Sequence, residues 1–339
     1  MSKKIIILSA ILVLMFSLSI HSQDLSLEDL ETGFQGFSDS VANALPYAAT
    51  LGTTWSDAYI GGFPHLGVGA FAGGVILPLE GVQSVMDATG LSDSLPQFVQ
   101  DFSGLPFPVF GANARLGGIA LPFDIGAKFG MLPEDTSFGD SFYADYLMAG
   151  IDVRVPIIRG NLLLPDVIIG AGYTYLSGGV GLMGLFGSNQ TIFDETIAEN
   201  QHTVEIQDPD IAFSWESNVL DLRAQVSKGL LIFTPYAGLG AGYGFSNAGG
   251  GITSALLING EEATQEEIDQ LNETLEAAGQ ETLNVDPTGY SITSEAGGWA
   301  FRVFGGVSLD ILILKLDVGA SYNLTSGSYA GELGVRLQL

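Results

Sequence analysis

Charged side chains recur at even spacing within short apolar runs. Asp124 and Lys128, Asp152 and Arg154, Asp221 and Arg223, Lys315 and Asp317, and Glu332 and Arg336 stand two or four residues apart. In an extended chain that spacing puts both members on one face. Arg115, Arg302 and Asp310 hold equivalent positions in runs of their own. Opposite charges on a shared face support two kinds of chemistry. They can satisfy one another in cross-strand ion-pair networks. They can also line a passage that selects solutes by size and charge. The sequence leaves both readings open.

Catalysis is not expected, and no catalytic residue is assigned. Beyond the amino-terminal leader described below, the histidines are His65 and His202. Neither lies in a Gly-x-Ser-x-Gly elbow or beside a paired acid on a strand, so both read as ordinary loop histidines. The chain has no cysteine, which excludes a disulfide scaffold and a cysteine-ligated metal. No cofactor and no metal site is expected. The acidic stretch 261–278 reads as a solvated surface helix. A divalent-cation site is the sharper alternative there, because such sites gather carboxylates, although no twelve-residue EF-hand pattern is present.

The elements that carry the charges alternate apolar and polar with period two. In 123–129, Phe123, Ile125, Ala127 and Phe129 oppose Asp124 and Lys128. Leu222, Ala224 and Val226 oppose Asp221, Arg223 and Gln225, and Leu333, Val335, Leu337 and Leu339 oppose Glu332, Arg336 and Gln338. A soluble antiparallel sandwich shows the same pattern. The scarce basic residues decide against it: Arg115, Lys128, Arg154, Arg223, Arg302, Lys315 and Arg336 all fall on the polar faces of strands rather than in loops. Tyr143, Tyr146, Tyr173, Tyr175, Tyr236, Tyr243, Trp299, Tyr322 and Tyr329 gather near strand ends, as interfacial aromatic girdles do. The expected fold is therefore all-β, a transmembrane antiparallel up-and-down β-barrel of about ten strands (range ten to fourteen) with an N-terminal periplasmic or plug helix.

The ten strands are expected near 65–77, 107–118, 120–131, 143–157, 163–182, 211–228, 231–246, 297–309, 312–323 and 327–339. Short and long connections then alternate, which places the short ones in the periplasm and the long ones outside. The long outer loops fall near 78–106, 183–210 and 248–296. Residues 80–102 read as a partly helical lid, and 53–60 as one more possible strand. Residues 203–207 and 290–295 read as strand extensions or extra hairpins.

The first 22 residues read as a secretory signal peptide, with Lys3 and Lys4 before an apolar core and Ser22 as the cleavage point. The formal net charge of −27 excludes nucleic acid as a partner, since phosphate binding needs Lys and Arg. No other run is long and apolar enough for a spanning helix. Residues 25–49 read as a helix with Leu27, Leu30, Phe34, Phe37 and Val41 on one face. It precedes the first strand on the periplasmic side, either plugging the lumen or lying on the rim. The domains are thus 1–22, a plug or periplasmic segment at 23–64, and the barrel at 65–339.

In layout, with leader, helix, alternating strands and a strand-final carboxyl terminus, the chain resembles outer-membrane β-barrels of diderm bacteria. The helix ahead of the barrel is also similar to the hatch of the long-chain fatty-acid transporter family, whose hydrophobic ligands pass through the barrel. That family has an Asn-Pro-Ala hatch motif. The nearest string here is Asn43-Ala44-Leu45-Pro46, so no ligand residues are carried over. The expected partners are outer-membrane lipids, the barrel assembly machinery and a small or hydrophobic solute. The expected function is passage of such a solute past an N-terminal gate, with a non-transporting structural or adhesin barrel as the alternative.

Overall fold

The apolar residues of the alternating runs face outward and the charged ones face inward in the computed structural model. It describes residues 27–339 apart from 64, 79–103, 119–122, 138–141, 184–188, 198–199, 208–209, 281 and 284. The signal peptide and the lid over 80–102 lie outside the described residues.

In chain order the elements are α1 (Leu27–Ala48), β1 (His65–Pro78), β2 (Gly104–Gly117), β3 (Asp124–Ser137), β4 (Phe142–Ile158) and β5 (Asp166–Leu182). Then come β6 (Gln190–Ile197), β7 (Asn200–Ile206), β8 (Asp210–Ser227), β9 (Phe233–Thr253), β10 (Leu256–Ile258) and β11 (Glu261–Glu262). The chain closes with α2 (Gln265–Ala277), β12 (Gly289–Ile311), β13 (Leu314–Asn323) and β14 (Tyr329–Gln338). The closed barrel runs β1-β14-β13-β12-β9-β8-β5-β4-β3-β2, all pairs antiparallel. These ten strands are the ten expected, with ends moved by up to eight residues, the largest changes being the longer β3, β9 and β12 at the long-loop end. The segment 290–295 is the upper part of β12. Residues 53–60 form no strand, and 203–207 belong to a separate four-stranded sheet, β11-β10-β7-β6.

Burial is inverted relative to a soluble protein. Ile151 is 65% exposed and Leu239 62%, while Arg154 and Asp124 are 0% exposed. A soluble sandwich has its charges on the outside, so this wall spans a lipid bilayer. Trp299, Phe245, Tyr173 and Tyr329 are exposed on the outer surface, and Tyr243 and Trp299 pack edge to face at 5.1 Å. Tyr146 and Tyr236 differ from the expected girdle. Their even positions in β4 and β9 share the face of Asp152 and Gly240, so they point into the lumen. No described helix is long and apolar enough to cross a membrane.

At one end of the barrel the strands are joined by short turns at 118–123, 159–165, 228–232 and 312–313. The other end bears the stretches 79–103, 183–209 and 254–288. There the small sheet and α2 share an apolar core of Val204, Ile206, Leu256, Ile268, Leu271 and Leu275. This forms a cap over the long-loop end. α2 starts with a capping box, in which the Thr264 side chain accepts from Glu267 N and the Glu267 carboxylate accepts from Thr264 N.

α1 lies inside the barrel and not along its rim. Its apolar face meets β9, β12, β1 and β8. It also starts at the opposite end from the one expected. Phe34 is buried in the core of the cap, and Phe37 meets Phe213 at 4.6 Å. Pro46 packs further down beside Gly244 of β9. The chain then continues through the lumen to the short-turn end, where the Ala58 amide donates to Ser227 Oγ at 2.7 Å, before turning back as β1.

Candidate functional site

The site is the barrel interior and the segment threaded through it. Strand register brings the wall charges together. Asp124 of β3 stands directly across from Arg154 of β4, which donates to it at 2.5 Å and 3.0 Å. Arg115 of β2 donates to Asp124 at 2.7 Å and to Asp152 at 2.8 Å. The Arg115–Asp152 pair passes over Gly126. A Cβ at that position would stand 2.4 Å from Asp152 Oδ1 and 2.7 Å from Arg115 Nη2. Arg223 bonds Asp152 and reaches Asp221 at 3.3 Å. Arg302 closes on Asp221 at 2.7 Å. Cation and anion therefore alternate around the wall as Arg154, Asp124, Arg115, Asp152, Arg223, Asp221 and Arg302. Each carboxylate is held by two guanidiniums, an arrangement that compensates charges removed from water.

The other expected residues fall into separate groups. Arg336 pairs with Asp317 and stands 3.7 Å from Asp57. Lys315 pairs with Asp310 at 3.1 Å near the short-turn end, and Asp310 also accepts from Thr234 and Ser308. Among the described residues, Lys128 has no carboxylate within salt-bridge distance. It donates instead to the carbonyls of Ala49 (2.5 Å) and Leu51 (2.7 Å) and to Thr53 Oγ1 (2.8 Å). A cation placed just beyond the last turn of α1 also meets the negative end of the helix dipole. Glu332 accepts from the Gly52 amide at 2.5 Å. Of the plug residues, Phe34 and Val41 are buried and Phe37 packs against the lumenal core. Leu27 and Leu30 fall within α1, but their side chains lie outside the described residues.

Sequence reading missed half of this site, the segment 49–60. Its backbone carbonyls are the acceptors for the wall. Arg154 donates to Asp57 O at 2.8 Å, and Gln225 donates to Trp55 O and Ser56 O at 2.7 Å and 3.0 Å. Trp55 lies between two cations, with Arg115 5.3 Å and Arg336 5.0 Å from its ring. Gln338 donates to Asp57, and Arg336 to Ser56. A backbone carbonyl leaves no mark in a sequence, so these contacts had no signal.

His65 differs from its expected place. It is the first residue of β1 rather than a loop residue, and it is buried with Nε2 3.8 Å from Asp124 Oδ2. Asp124 is nonetheless already bound by two guanidiniums, so the pair is not arranged as a free acid and base. His202 lies in β7, outside the barrel wall.

Between Thr50, Leu51, Tyr236, Arg302 and Glu332 remains a cavity of about 30 Å³, which suits a water molecule. Among the described residues, no group of three or more His, Asp or Glu side chains is arranged to hold a metal ion, and α2's acids are spread over its surface.

No family model and no curated protein matches the chain. Among solved structures it is similar to the outer membrane protease OmpT from Escherichia coli, at 8% identity and TM-score 0.40, covering 83% of this chain and 99% of that one. It is also similar to the translocator domain of autotransporter NalP from Neisseria meningitidis, at 10% identity and TM-score 0.37, over 90% and 99% of the two chains. The Ralstonia pickettii toluene transporter TbuX matches at 10% identity and TM-score 0.27, over 88% and 94%.

Proposed function

We propose that this chain is an outer-membrane barrel whose lumen is a conduit for small or hydrophobic solutes, closed at rest by residues 33–60. The leader 1–22 is removed on export, 23–64 is the plug segment that contains this gate, and 65–339 is the barrel, assembled by the barrel assembly machinery and surrounded by outer-membrane lipids. The carrying observation is the manner of closure. Below α1 the plug is held to the wall largely by hydrogen bonds from Lys128, Arg115, Arg154 and Gln225, beside a small apolar contact of Ala58 and Ile60 with Ile168. Such bonds exchange with water at modest net cost, about 1–3 kcal/mol each for charged donors. Withdrawal of the segment would leave a charged, hydrated wall of the kind that selects solutes. The cap favours a second reading, a non-transporting surface barrel with a structural or adhesin role, because its separate core and acidic helix form a folded unit beyond the wall.

Planar-bilayer recording and solute uptake test the conduit. The intact chain is expected to be closed, whereas a chain lacking 24–52, and a full-length chain carrying Lys128→Met with Trp55→Ala, conduct. The full-length variant guards against misfolding of the deletion. Absence of conductance and uptake in all three leaves the surface reading.

A further inference from the structure

The direction of α1 has a topological result. Three contacts order it along the barrel. Phe34 lies in the cap core with Ile206, Leu256 and Leu271, Asp39 accepts from Ser294 in the upper part of β12, and Tyr47 shares a 2.6 Å hydrogen bond with Ser321 of β13. Beyond it, Ala58 meets Ser227 at the last residue of β8, and a Cβ on Gly118 in the first short turn would touch Gly62. The 22-residue helix is about 33 Å long at 1.5 Å per residue. That length, followed by the turn at 49–52 and the segment 53–60, spans the wall from cap to short turns. The chain enters the lumen from the cap side and leaves it on the other.

The geometry points to an amino-terminal end that lies at the cell surface, on the same side as the cap, so that the barrel carries the start of its own mature chain across the membrane. This rests on the orientation used above, with long loops outside. It differs from any arrangement in which the gate hangs from the periplasm. In that case Phe34 would sit among the short turns, not among Val204, Ile206 and Leu275. Retraction of the plug toward the periplasm would then have to pull Phe34 out of the cap core.

The chain has no cysteine, so single substitutions report location on an unmarked background. Thr32→Cys on an exposed position of α1, Glu266→Cys on α2 and Leu231→Cys in a short turn would be treated on intact cells with a membrane-impermeant maleimide. Thr32→Cys is expected to label to the same extent as Glu266→Cys, and Leu231→Cys only after the outer membrane is permeabilised. Labelling of Glu266→Cys but not Thr32→Cys on intact cells overturns the inference while leaving the orientation intact. Labelling of Leu231→Cys in place of Glu266→Cys overturns the orientation itself. Thr32 makes no hydrogen bond to the wall among those described, and full-length protein in the membrane fraction would confirm that each variant assembles.

Discussion

Asp124 shows how narrowly the interior charges are balanced. It is fully buried, and both Arg115 and Arg154 depend on it. Replacing it with alanine leaves two guanidiniums short of an anion. The expected loss is about 3–5 kcal/mol, read as an earlier guanidinium unfolding midpoint in detergent. Trp55 is the matching case on the plug. Trp55→Ala opens a void between Arg115 and Arg336, which now face each other without the ring. A cost of about 3–5 kcal/mol is expected, accompanied by faster protease cleavage within 49–60. Gly52 adopts φ +75°, and a Cβ there would stand 2.2 Å from the ring of Phe71. Gly52→Ala is therefore expected to unseat the plug at a cost above the roughly 1–2 kcal/mol of the left-handed backbone alone. A crystal structure with Phe71 unmoved and residues 49–53 in place would contradict this.

Among the elements, α2 carries a pH dependence whose sign follows from its cap. Hydrogen bonds from the Thr264 backbone and side chain hold the Glu267 carboxyl below its ordinary value. A depressed acid stabilises the folded state above its unfolded pKa and loses that contribution as pH falls through the folded one. The first turn of α2 is expected to fray in mild acid, below the carboxylate range. Hydrogen exchange at the amides of Glu267 and Ile268 would show it, and Thr264→Ala, which keeps the backbone donor and removes the hydroxyl, would weaken the pH dependence. The elements also show what was legible. Barrel strands were readable because each inward charge sits between outward apolar residues, as in Phe123 to Phe129, and a period of two maps directly onto two solvents. α1 was readable from Phe34, Phe37 and Val41. Of the cap strands, β7 was read in part, as a strand extension or extra hairpin over 203–207, whereas Leu256–Ile258 and Glu261–Glu262 are too short to establish a period. Residues 53–60 were read as a possible strand, but their partners are side chains of the wall, and no local pattern distinguishes the two.

For the whole molecule, the difference between a plugged conduit and a static pillar is one of energy rather than shape. The lower plug is fastened mainly by polar bonds, with Ala58 and Ile60 on Ile168 as its apolar contact, and the upper plug mainly by the apolar cores around Leu45 and Phe34. Rising guanidinium should release the two halves differently, since one depends on hydrogen bonds and the other on apolar burial. Limited proteolysis along such a titration is expected to cut within 49–60 before it cuts within α1. Simultaneous loss of both would indicate a single cooperative interior and would weaken the gating reading.

The fastenings at Gly52, Ser56 and Asp57 also have a bearing on how the cylinder is finished. Their partners Glu332, Arg336 and Gln338 all belong to β14, about 280 residues later in the chain. The same strand must find β1, with Gly67 opposite Gln338. Encounters between parts so remote in sequence are slow and costly in chain entropy. A threaded segment already tied to β1 offers the arriving last strand a row of waiting partners from inside. The segment that blocks the finished passage would thus serve, during assembly, as the clasp that tells the two edges where to meet.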